Sequence, residues 1–247
     1  MQTSHIWRQF HLYGKKIVLS CLIVTVLGGT AIGQKQRWVE KNNPNYDDRK
    51  LTYGFLIGLH TTAYKIRYSD AFVTPQFDTL FSVEPGSNAG FSLGFIVNYK
   101  LGDFFDLRLT PKVAFYEHSL TYKYTDDQAP YEERVETTMV EFPLLLKYKS
   151  ERRGNIRMYM IGGVKPAIEA SGKKKEENVT NSLEVTGGNL SLDFGFGFDL
   201  YYPLFKFSPE IRFSKGLVDI LDNKVNPLGQ PLDRISTNTI SVYFLFQ

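Results

Sequence analysis

From residue 190 to residue 202 hydrophobic and polar positions alternate almost without error. Leu190, Leu192, Phe194, Phe196, Phe198, Leu200 and Tyr202 share one parity; Ser191, Asp193, Gly195, Gly197, Asp199 and Tyr201 share the other. Successive side chains of a strand leave opposite faces, so a period of two predicts a β-strand with one apolar face and one small or charged face. The same pattern recurs at 52–67, 89–100, 104–118, 137–149, 204–215 and 236–247. A further segment, 155–170, is the weakest: Met158, Met160 and Ile161 break the parity around Gly162-Gly163. Strands three and four read as continuous through Pro111 and Pro143.

Eight such strands predict an all-β chain. The choice is between a lipid-facing barrel and a soluble one. On the polar parity lie Asp106, Arg108, Lys112, Glu141, Lys147, Asp193, Asp199, Lys206, Glu210 and Arg212. A soluble lipocalin-like barrel turns its apolar parity inward around a ligand. A membrane barrel turns it outward and encloses the charges. Connection lengths favour the membrane: 68–88, 119–136, 171–188 and 216–235 are long and polar, whereas 101–103, 150–154 and 203 are short. Long outer loops and short periplasmic turns are the rule for such barrels. Aromatic residues add a second sign. Tyr53, Tyr99, Phe105, Tyr148, Tyr202, Phe205 and Phe246 all fall at the short-turn end with outward parity, which predicts an interfacial girdle in contact with membrane lipid. The expectation is an eight-stranded antiparallel up-and-down transmembrane β-barrel over 52–247, both termini periplasmic, preceded by a polar lead-in at 34–51.

The first 33 residues read as a cleaved export signal: Arg8, Lys15 and Lys16, an apolar run from Ile17 to Ile32, then Ala31-Ile32-Gly33 with cleavage before Gln34. The run is shorter than the roughly 20 residues of a spanning helix. The single cysteine, Cys21, lies inside it, so the mature chain has no thiol for disulfide, metal or nucleophilic chemistry. Three of the 29 basic residues and none of the 26 acidic ones lie in the signal, leaving 26 of each in the mature chain. A neutral balance gives no electrostatic case for binding nucleic acid.

An eight-stranded barrel is just wide enough for side chains to fill it. The inward charges carry both signs and are expected to pair across the lumen as a polar plug, because an unpaired buried charge is costly. No catalytic residue, cofactor or metal site is expected. His60 and His118 sit high on their strands, near Asp70 and Ser119, but no spacing demands a nucleophile and base there. Gly195-Phe196-Gly197 lies mid-strand with no helix after it, so it is not a dinucleotide loop. Asp78-Thr79-Leu80 resembles a Bacteroidetes O-glycan acceptor, and Asn178-Val179-Thr180 has the form of an N-glycan acceptor.

Several runs carry a family resemblance. They are Pro44-Asn45-Tyr46-Asp47-Asp48-Arg49, Phe105-Asp106-Leu107-Arg108-Leu109-Thr110-Pro111, Val140-Glu141-Phe142-Pro143-Leu144-Leu145-Leu146-Lys147-Tyr148 and Pro209-Glu210-Ile211-Arg212-Phe213-Ser214-Lys215-Gly216-Leu217. Together they resemble the Bacteroidetes outer-membrane β-barrel superfamily over about 45–247. The lead-in, the Phe-Asp-Leu-Arg strand and Phe115-Tyr116-Glu117-His118-Ser119-Leu120-Thr121-Tyr122 look most like the PorT (SprT)-like proteins of the type IX secretion system. The chain departs from the usual aromatic ending of such barrels, because Gln247 follows Phe246. The resemblance implies a non-enzymatic accessory needed for export of cargo with a conserved C-terminal domain, and for motility in gliding species. Other secretion components would be its partners, met at the outer loops or at the lead-in and the basic turn Ser150–Gly154. The rival expectation is a stand-alone barrel that binds a ligand or surface partner through its outer loops.

Overall fold

Strict alternation leaves each strand with an apolar stripe on one face only, and closing the sheet on itself satisfies every edge without a second layer. The computed structural model describes residues 40–125, 129–170, 185–222 and 228–247. The expected signal segment and Asn178-Val179-Thr180 lie outside them. Eleven strands form one antiparallel sheet: β1 (Leu51–Tyr68), β2 (Leu80–Pro85), β3 (Ser87–Lys100), β4 (Phe105–Leu109), β5 (Lys112–Tyr124), β6 (Tyr131–Glu141), β7 (Leu144–Lys149), β8 (Ile156–Glu169), β9 (Gly188–Tyr201), β10 (Lys206–Gly216) and β11 (Leu232–Phe246). β1 pairs with both β3 and β11, and β8 with β9, so the sheet closes.

The eleven segments make eight staves, β2 and β3 joining across Gly86 as the second. β4 with β5 and β6 with β7 are the third and fourth, expected to be continuous but interrupted at Thr110-Pro111 and Phe142-Pro143. Proline cannot donate to the ladder, so regular pairing lapses there. The register runs through unchanged, from Leu109↔Leu144 to Lys112↔Glu141. The proline carbonyls remain in use: Phe95 N–H donates to Pro111 O at 2.9 Å and Thr110 N–H to Pro143 O at 3.1 Å.

Three expectations need correction. The segment 119–136 is mostly strand, because β5 and β6 continue past the expected loop boundary as a hairpin paired from Lys112↔Glu141 to Tyr122↔Tyr131. The first long connection also contains β2, which pairs with the end of β5. Here the outward face is charged, so the apolar half of the alternation is lost although the period of two persists inward at Leu120 and Tyr122. Strand five is also regular: Met158 and Met160 point outward, and Ile161 and Tyr159 are buried inside beside Leu145. The apparent break in parity was an inward apolar residue.

The outside of the barrel is apolar. Phe55, Leu59, Phe95, Leu146, Met158, Phe194 and Ile240 are among its exposed side chains. That is the reverse of a lipocalin-type interior. Six of the seven girdle residues are well exposed; Phe246 is half-buried in a ring stack, 5.0 Å from Phe55 and 5.1 Å from Phe207. Both β1 at 18 residues and β11 at 15 exceed the roughly 10 that cross a bilayer.

Candidate functional site: a lumen closed at three levels

Inward positions at mid-barrel, on the third to the seventh staves, carry charged residues. Asp106, Arg108, Lys112, Glu141, Lys147, Asp193, Asp199, Lys206, Glu210 and Arg212 are all buried there, together with Lys149 and Lys165. Glu210 is one hub. It accepts from Arg108 at 2.9 Å, from the Tyr159 hydroxyl at 2.9 Å and from Arg212. Arg212 also lies 3.6 Å from Asp193. Glu141 is a second hub, 2.9 Å from Lys112 and 3.1 Å from Lys165, with Tyr116 O–H donating at 2.7 Å. Asp199 takes Lys147 at 2.5 Å and Ser208 at 2.7 Å, and Asp106 takes Lys149 at 2.6 Å.

Seven buried lysines and arginines face five buried carboxylates among the described residues, so ion pairing alone leaves a positive excess. Tyrosine rings absorb part of it by cation–π attraction. Lys147 lies 3.8 Å from the Tyr159 ring centroid, and Arg212 and Lys112 lie 4.4 and 4.5 Å from that of Tyr243. Small residues opposite these rings make the room. Gly197 is the register partner of Tyr159 and Gly58 that of Tyr243; a Cβ would meet the rings at 2.6 and 2.4 Å. Here lies the role of Gly197, which phosphate chemistry did not explain. Lys165, Tyr116 and Tyr159 were not singled out from the sequence. The signal for Lys165 and Tyr159 was their inward parity in strand five.

At the short-turn end the lead-in folds back over the opening. Pro44–Asp48 forms a 3-10 turn after Asn43, which adopts a left-handed conformation at φ 46°. Asp47 is its anchor: Arg157 lies at 3.0 Å, Arg152 at 3.6 Å, and Tyr201 O–H donates at 2.8 Å. Lys100 Nζ donates to the Asp47 carbonyl at 2.9 Å. Arg152 stacks 3.7 Å over the Tyr201 ring and donates to the carbonyls of Asn42 and Asn43. Tyr46 meets Tyr201 edge-on at 5.8 Å. Lead-in and basic turn, expected together as a contact region at this end, are bound to each other.

At the long-loop end the closure is apolar. Tyr64, Val83, Leu120, Tyr122, Leu232 and Ile235 pack with Ile220, Leu221 and Leu228 of the last long connection. Tyr122 O–H donates to Leu228 O at 2.9 Å, and Val185 bridges Leu221. Beneath lies a pocket of about 480 Å³, part of it open to solvent, lined by Tyr64, Tyr116, His118, Glu141, Lys165 and Asn189. His60, Tyr116, His118 and Tyr64 form a ring column with centroid separations of 4.4, 5.8 and 4.1 Å. His118 and Ser119 leave opposite faces of β5, and Ser119 Oγ donates to Asn88 at 2.9 Å, so the two do not form a nucleophile and base. Outside the wall, Lys123 binds Glu84 at 2.7 Å and holds its carboxyl below the usual value.

Residues 33–222 match the family model described as outer membrane protein beta-barrel domain. The chain belongs to this outer-membrane β-barrel family. No curated protein matches it. Among solved structures, the chain is similar to the outer membrane protein OprG of Pseudomonas aeruginosa: 16% identity, 80% of this chain and 95% of that one covered, TM-score 0.45. Neisserial surface protein A gives 14% identity, 80% and 98% coverage and a TM-score of 0.37. Ail of Yersinia pestis, in complex with the heparin analogue sucrose octasulfate, gives 12%, 80%, 99% and 0.34. For an outer-membrane barrel of this family, the outward apolar wall is the lipid-facing surface.

Proposed function

We propose that this outer-membrane barrel is a non-enzymatic component of type IX protein secretion, with both chain ends on the periplasmic side, and that it acts through contacts at its rims. The filled lumen supports a role other than conduit: a passing chain would have to displace the lead-in, the paired charges and the apolar cap in turn. The reading of secretion rests on the runs that resemble PorT-like proteins. Most of those runs supply the interior: Asp106, Arg108, Glu141, Lys147, Glu210 and Arg212 are all buried network members. They specify architecture, so they bear on family rather than on partner.

The observation that carries the proposal is the lead-in. Its Tyr46 and Asp47 are spent on holding it to the barrel, while Pro44, Asn45, Asp48 and Arg49 face outward on a fixed support. A pre-ordered polar surface loses little entropy on binding a partner. Glu151 and Arg153 of the adjacent turn are exposed as well. In-frame deletion of the gene in its native host should trap C-terminal-domain cargo in the periplasm, with release on complementation. Complementation by Asn45→Ala/Asp48→Ala/Arg49→Ala should fail although the barrel is assembled. Normal secretion in the deletion strain overturns the secretion reading; full rescue by the triple variant overturns the periplasmic-rim version.

A further inference from the structure

The outer face of β1, β11 and β10 changes character abruptly along its length. The register aligns Leu59, Val242 and Ile211, then Thr61, Ile240 and Phe213, all but Thr61 apolar. The next rung holds Ala63, Asn238 and Lys215, then come Lys65 beside Ser236 and Arg67 beside Arg234. Parity points Lys65, Arg67, Lys215 and Arg234 outward, and all four are exposed. Rungs two residues apart are separated by about 6.7 Å and neighbouring strands by about 4.8 Å. Four cations therefore occupy a patch on the order of 13 Å by 10 Å, directly above the apolar band.

Arg67 and Arg234 stand face to face in the register, an arrangement that is unfavourable unless an anion lies between or beside them. Asp233 provides one carboxylate, 3.5 Å from Arg67, but this pair is solvated, with side-chain exposures of 78% and 47%, and such pairs are weak. Arg234 donates to Leu217 O at 2.5 Å. Lys65 and Lys215 make no hydrogen bond or ion pair to a described residue. The opposite wall at this height is acidic: Glu117 faces Glu136 and Thr121 faces Glu132, with Arg134 among them. The excess of positive charge is thus on one wall.

We infer that this basic wall seats the phosphorylated headgroup of a lipid in the outer leaflet, its acyl chains lying along Leu59, Ile240 and Phe213. Charge placed just beyond an apolar band matches a molecule whose phosphates sit just beyond its chains, and arginine suits bidentate phosphate contact. The leaflet assignment rests on the sidedness proposed above; the phosphate contact does not.

The test titrates purified full-length protein in detergent with lipid A carrying two phosphates and reads bound lipid by native mass spectrometry. Lys65→Gln/Arg67→Gln/Lys215→Gln/Arg234→Gln should weaken binding at least tenfold, while Lys123→Gln/Arg134→Gln on the opposite wall should not. Lys65→Gln/Lys215→Gln removes no intramolecular contact and should weaken binding several-fold even if the fourfold variant misfolds. Dephosphorylated lipid should bind poorly, and millimolar inorganic phosphate should not compete. Equal binding by either basic-wall variant, or by dephosphorylated lipid, overturns the inference; full competition by inorganic phosphate reassigns the patch to a free anion. Impermeant maleimide on whole cells separately tests sidedness. Labelling of Asp78→Cys but not Arg153→Cys supports the outer leaflet, and the reverse overturns it without touching the phosphate result.

Discussion

The two mouths of the barrel are closed by different physics. At the short-turn end a six-residue stretch of lead-in is held by Asp47, Arg152, Arg157 and Tyr201 through charge and hydrogen bonds. At the long-loop end Leu120, Leu232 and Ile235 are closed over by Ile220, Leu221 and Leu228. An apolar seal depends on area and packing and is not screened by salt. A polar latch whose Asp47 is partly in solvent is screened by salt and opens locally at small cost. The difference teaches that one end of this barrel is a lid fixed by packing, and the other a surface that a partner or an ionic change can release. Between them, the fully buried network sets the scale against which both are measured.

Breaking that middle level should have the largest effect. Glu210→Ala leaves Arg108 and Arg212 buried without their shared carboxylate and Tyr159 without its acceptor. Removing one partner from a buried pair costs about 3–5 kcal/mol. The variant should lose heat-modifiable mobility on gels at a far lower temperature than wild type, or fail to assemble. If it melts within a degree or two of wild type, the hub is not what stabilises the mid-barrel.

The apolar lid should respond next. Leu232 is 1% exposed, and Leu232→Ala should cost about 2–4 kcal/mol through lost transfer energy and a cavity. Hydrogen exchange should rise in 217–222 and around Ile235, with the same increment at 0.1 and 1 M salt. A salt-dependent increment would mean that this mouth too is held by charge.

How far these levels were legible in the sequence follows from what each uses. The wall is written in the alternation itself, and the buried Asp, Glu, Lys and Arg positions sit on its polar parity. The boundaries failed where alternation lost its apolar half: β5 and β6 run on through Glu117, Thr121 and Lys123 because lipid no longer requires apolar side chains there. The lid was invisible because Leu221, Leu228 and Leu232 are scattered through a connection with no period, and meet Leu80 and Tyr122 only when the sheet closes. The latch was half visible. Asp47 and Arg152 could be singled out as charged residues at one end, but no local pattern states that a residue 105 positions later in sequence would hold the lead-in. Lys165 was hidden for the opposite reason: Ile161 beside two glycines disguised a regular strand.

The latch should give the smallest change in global stability and the most specific one. Asp47 keeps about a quarter of its side chain in solvent, so solvent screens its pairs with Arg152 and Arg157. Asp47→Asn keeps the shape and a hydrogen-bond acceptor for Tyr201 while removing the charge, and should cost about 1 kcal/mol. The melting point of the barrel should barely move. Exchange at the Tyr46 amide, which donates to Asn43 O at 3.1 Å, should accelerate several-fold, and trypsin should cut after Arg49 or Lys50 faster. Raising salt from 0.1 to 1 M shortens the screening length from about 10 to about 3 Å, so wild type should move toward the variant while the variant stays put. Equal salt dependence in both proteins would show that the ring contacts of Tyr46 and Arg152, rather than the Asp47 charge, keep this mouth shut.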